Sequence, residues 1–90
     1  EKVYMFEYFM PDEETILGTE PLLEAETNDQ GIASFVISPS LFPITGELAS
    51  GSFMFITISE QKVTGLSTVT LNPGATKATI IMLREDGYFQ

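Results

Sequence analysis

The chain has 90 residues, of which 43% are hydrophobic, with no Cys, no His and a formal charge of −9 from 13 acidic against 4 basic side chains. The missing Cys excludes disulfides and thiolate chemistry, and the missing His removes the usual general base and the commonest transition-metal ligand. The acidic balance argues against nucleic acid, whose phosphates need clustered Lys and Arg, and against an anionic membrane surface.

A chain of this length is expected to be one domain over 1–90. Its 7 Phe and 3 Tyr are the main core material, since each buried aromatic removes roughly 150–250 Å² from water. Apolar runs are too short to span a membrane. Residue 1 stands almost at the start of a strand, so an upstream leader, tether or strand is expected.

Val3 to Met10 is nearly all apolar or aromatic, a composition that favours a strand. Period-2 alternation puts Tyr4, Phe6, Tyr8 and Met10 on one face and Val3, Met5, Glu7 and Phe9 on the other. Such a strand is either central and covered on two sides, the preferred reading, or carries an exposed aromatic stripe. Pro11 breaks it, because Pro cannot donate to a ladder. Asp12, Glu13 and Glu14 then read as a solvated loop, with calcium ligation as the rival reading because Ca²⁺ takes six to eight oxygens. A short strand around Ile16 and Leu17, ended by Gly18, is predicted next. No helix is predicted, since Gly18 and Pro21 interrupt the one stretch that fits a helical wheel.

Leu22 to Thr27 predicts a strand with Leu23 and Ala25 inward and Glu24 and Glu26 outward. Asn28, Asp29 and Gly31 predict a turn, because Asn and Asp bond back to their own backbone and Gly takes positive φ. Ala33, Phe35 and Ile37 alternate with Ser34 and Ser38, so a second strand is predicted. The Ser38–Gly51 connection holds Leu41, Phe42 and Ile44 and is read as a crossover with a hydrophobic anchor, or else as a functional loop. Phe53 to Ser59 predicts a strand, Glu60 to Lys62 a polar turn, and Val63 to Leu71 a strand bent or bulged at Gly65. Asn72-Pro73-Gly74 signals a turn. Thr76 to Leu83 predicts a last strand, and Arg84 to Gln90 a polar-aromatic tail frayed at its end.

The run Thr27-Asn-Asp-Gln-Gly31-Ile-Ala-Ser-Phe35 resembles the T-D-x-x-G-x-x-x-F hairpin of transthyretin-like sandwich domains, including carboxypeptidase-regulatory-like modules and related bacterial surface domains. The strand at Val3–Tyr8, the Gly51-Ser52-Phe53 strand start and the pair Thr68–Leu71 and Lys77–Leu83 follow the same order. The family usually has one more strand ahead of the first, and the Ser38–Gly51 connection is longer than its usual turn. The same turn-Gly-x-x-x-Phe signal occurs in bacterial Ig-like modules. The resemblance implies an all-β fold: an Ig-like or transthyretin-like Greek-key sandwich of six to seven mainly antiparallel strands. It also implies a non-catalytic module of exported bacterial proteins, lipoproteins among them, on the cell surface, in the periplasm or secreted. It carries no catalytic residues and no cofactor.

No residue set here makes an active site. A nucleophilic Ser lacks a His to take its proton and lacks a strained Gly-x-Ser-x-Gly elbow. Glu24 and Glu26 share one strand face, as paired carboxylates of a glycosidase would, but an exposed antiparallel strand shows the same spacing. Tyr4, Tyr8 and Tyr88 are the candidate ligand-contacting aromatics for stacking a sugar ring, against a rival role in the core. The functional expectation is a structural or interaction module acting in assembly, spacing or adhesion. Its partner is another protein, or a second copy, joined through edge strands. The alternative is a carbohydrate- or calcium-binding accessory module.

Overall fold

The computed structural model describes residues 1–37, 44–45, 48–49, 51–72 and 78–89. The elements are β1 (Lys2–Glu7), α1 (Glu13–Leu17), β2 (Leu23–Glu26), β3 (Ile44–Thr45), β4 (Leu48–Ala49), β5 (Gly51–Ser59) and β6 (Lys62–Leu71). Four of them form one antiparallel sheet in the order β2-β1-β5-β6, and β3 and β4 form a separate two-stranded ladder. Among the described residues the regular elements are therefore mostly strands, with little helix. The ladder Ile44↔Ala49 and Thr45↔Leu48 lies inside the stretch read as a crossover, while Leu41 and Phe42 lie outside the described residues.

Apolar residues on both faces place β1 and β5 at the centre of the sheet. On the first face, Phe6, Met54, Ile56 and Val63 form a buried cluster with Ile16 of α1, flanked by Tyr4, Phe9, Ile58, Leu66 and Tyr88. On the second face, Met5 and Phe53 are fully buried, flanked by Leu23, Phe55, Leu71, Phe35 and Ile37. The two-sided reading of β1 holds: Met5 is 0% and Phe6 2% exposed, although they point in opposite directions. Burying one such side chain is worth about 1.5–3 kcal/mol, so the alternation on both faces dominates local preference.

The stretch read as a short strand at Ile16 and Leu17 is instead α1. Asp12 caps it, its carboxylate accepting from Thr15 N (3.1 Å) and Thr15 Oγ1 (2.9 Å). Glu13 and Glu14 lie in its first turn, where negative charge favours the helix dipole, and Gly18 ends it. Five residues are too few to show a 3.6-residue period, so the caps were the only legible signal. Ile16 anchors the helix, and Glu13 Oε2 accepts from Val63 N (3.0 Å) at the start of β6.

The turn after β2 forms as its residues require. Asn28 Oδ1 accepts from Gln30 N (2.8 Å) and Ile32 N (3.1 Å), and Gly31 has φ 78°. The hairpin predicted around it does not form. β2 pairs with β1 (Lys2↔Glu26 to Met5↔Leu23), and residues 33–37 join no ladder. Their alternation survives: Ala33, Phe35 and Ile37 are half-buried while Ser34 and Val36 are exposed. Side-chain period sets which residues face the core, not which backbone they bond, and here packing of Phe35 on Phe55 (centroids 5.1 Å apart) replaces a ladder.

β5 and β6 meet in a tight hairpin whose central residues Glu60 (φ 51°) and Gln61 (φ 63°) are both left-handed, the signature of a type I′ turn. The bulge expected near Gly65 is present. Thr57 pairs with Gly65 and Ile58 with Val63, which leaves Thr64 as the extra residue. Thr64 and Thr57 satisfy each other through a buried hydroxyl pair at 2.9 Å.

The strand predicted at Thr76 to Leu83 is not a strand among its described residues, and 73–77 lie outside them, including Pro73 and Gly74 of the expected turn. Residues 79–84 run antiparallel beside β6 without a ladder. Thr79 Oγ1 meets Ser67 Oγ (2.7 Å), Ile81 crosses Gly65, and Arg84 N donates to Thr64 O (2.8 Å). The tail is docked at Tyr88, and its end at Gln90 lies outside the described residues. Tyr88 N donates to Val63 O (2.7 Å), and its ring packs on the first-face cluster.

Candidate functional site

The three candidate tyrosines are placed differently. Tyr4 and Tyr88 border the buried cluster of Phe6, Ile16, Met54, Ile56 and Val63, while Tyr8 is 45% exposed and stands outside it. Arg84 lies 5.4 Å from the Tyr88 ring centroid, and Phe89 meets that ring edge to face at 5.1 Å. Neither Tyr4 nor Tyr8 belongs to an aromatic pair among the described residues.

The acids of the 12–14 stretch are engaged locally. Asp12 caps α1 and Glu13 holds the backbone of Val63, so two of the three carboxylates face backbone donors. Among the described residues no three acidic side chains converge in a manner fit for a metal ion. Glu24 and Glu26 are both exposed on β2, and Glu24 meets Lys2 Nζ at 3.5 Å across the sheet. Exposed pairs of this kind are worth about 0–1 kcal/mol.

The sheet edges differ. Along β6, the chain's own tail meets only the start of the strand, where Arg84 N donates to Thr64 O and Tyr88 N to Val63 O, while Thr79 and Ile81 lie over its second face at Ser67 and Gly65. Along β2 the geometry is open. Thr27 N donates to Glu1 O (2.8 Å), which makes that a hydrogen-bonded pair. Alternation then turns the N–H and C=O of Glu24 and Glu26 away from β1. Among the described residues no element or hydrogen-bonding group meets them. Leu23 and Ala25 point to the second face, where Leu23 packs on Met5 and Phe53. The sequence marked Glu24 and Glu26 as outward but gave no sign that β2 would be terminal, because sheet order depends on long-range pairing.

Among the described residues no helix is long and apolar enough to cross a membrane. Searches of protein-family models, curated proteins and solved structures find no match to this chain.

Proposed function

We propose that this chain is a non-catalytic structural or interaction module of a bacterial cell-envelope or secreted protein, acting in assembly, spacing or adhesion through a sheet edge. The observation that carries the reading is the open β2 edge: the outward backbone of Glu24 and Glu26 is free among the described residues. An open edge is a template for an added strand. Support for a transthyretin-like or Ig-like sandwich comes from residues 33–37 and 79–82. Both have strand-like sequences, and both lie over the face of Phe53, Phe55 and Gly65, where a second sheet would stand.

Amide exchange, read together with solution mass by light scattering, tests the edge reading. The outward amides of Glu24 and Glu26 should exchange freely in the isolated monomer. They should become protected when a strand is offered, by an upstream extension of the chain or by an extended peptide. An edge that stays unprotected with every strand offered would sink the proposal.

A further inference from the structure

We infer that the β2 edge selects an added strand with two basic residues flanking an apolar one, and that it rejects a second copy of this chain. The inference rests on the edge-docking reading above and adds the chemistry of the partner.

A strand laid against β2 must hydrogen-bond to the outward groups, which belong to Glu24 and Glu26. The residues opposite these two then share their face, with Cβ atoms roughly 4.5–5.5 Å away. Both carboxylates are exposed, and the sole described cation beside them, Lys2, already meets Glu24 at 3.5 Å from the inner side. Complementary residues are therefore Lys or Arg at positions i and i+2. The residue between them falls opposite Ala25 on the second face, where Leu23 borders the Met5 and Phe53 cluster. A small or β-branched apolar side chain fits there and lengthens that apolar surface.

The same geometry turns away a second copy. Antiparallel pairing of two β2 strands can match outward residues only with outward residues. Each register therefore sets Glu24 or Glu26 opposite Glu24 or Glu26 of the partner copy, and like charges directly opposite are destabilising. On the β6 edge of another copy, the start of the strand is already taken, by Arg84 N on Thr64 O and Tyr88 N on Val63 O. The net charge of −9 opposes either association at long range.

The test uses the ¹⁵N-labelled chain and three capped peptides of equal length, with Lys-Val-Lys, Gln-Val-Gln or Glu-Val-Glu at the centre. Hydrogen exchange at Glu24 and Glu26 reports edge pairing, and shift titration reports affinity. The Lys peptide should protect both amides and bind about tenfold or more tightly relative to the Glu peptide. That preference should shrink in Glu24→Gln/Glu26→Gln and at about 1 M salt. These are exposed substitutions, so folding is retained. Equal binding by all three peptides overturns the inferred chemistry and leaves the edge reading standing. No protection by any peptide overturns both. Protection that rises with protein concentration alone shows that a second copy is accepted, and overturns the inference.

Discussion

Two residue-scale features at the β5–β6 bulge carry tests of their own. Thr57 and Thr64 are 2% and 6% exposed, and each hydroxyl has the other as its partner. Removing one leaves a buried polar group unpaired, which costs about 1–3 kcal/mol, whereas removing both can be close to neutral. Thr57→Val and Thr64→Val should each lower the urea midpoint, and the double variant should recover most of the loss. Additive losses in that cycle would show that the pair is not the source of the stability. Gly65 is required by close approach: a Cβ there would stand 2.4 Å from Ile81 Cγ2 and 2.7 Å from Thr57 Oγ1. Overpacking of this kind costs about 1–3 kcal/mol. Gly65→Ala should therefore destabilise the fold by that amount in chemical denaturation, and Ile81→Ala in the same chain should return part of it.

At the scale of elements, side-chain period and backbone pairing separate. β1, β2, β5 and β6 were legible, because alternation and β-branched or aromatic residues mark a strand whatever its neighbour. Residues 33–37 show the limit. Phe35 and Ile37 were correctly expected inward, but the ladder was not there to be read, because nothing in the sequence says which backbone a strand will meet. α1 was missed for the opposite reason: Asp12 and Gly18 cap it, yet five residues hold no period. The tyrosines were partly legible. Tyr4 was expected on the face of Phe6, and it is, but docking of Tyr88 on Val63 depends on a turn more than twenty residues later. A contrast along 33–37 follows. Phe35→Ala should cost roughly 2–4 kcal/mol, since its ring packs on Phe55 beside the Met5 and Phe53 cluster. Val36, 92% exposed, should tolerate Val36→Ser within about 0.5 kcal/mol. The same denaturation assay reads both. Equal losses would mean that the alternation seen here is not that of the folded chain in solution.

For the whole molecule, charge decides the response to salt. A formal charge of −9 sits on 90 residues, so self-repulsion acts on the folded state at low ionic strength. The one described ion pair, Lys2 with Glu24, is exposed and adds about 0–1 kcal/mol, so losing it to screening is a small term. Raising salt from about 0.01 M to 1 M shortens the screening length from about 30 Å to 3 Å. Stability should rise across that range, seen as a higher melting temperature in sodium chloride. A fall would mean that attractive pairs outweigh repulsion in this fold.

The central place of β1 has a consequence for how the chain is made. β1 leaves the ribosome before its central sheet partner β5, which ends at Ser59, and the Tyr88 side chain that packs on the first face comes later still. Until then, β2 is the one strand of this sheet available to pair with Val-Tyr-Met-Phe. Such a segment is uncharged, aromatic and free of Pro, the composition that favours association between chains. The acids at Glu7, Asp12, Glu13 and Glu14 follow directly behind it, so the charge that repels a neighbouring nascent chain arrives about as soon as the danger does.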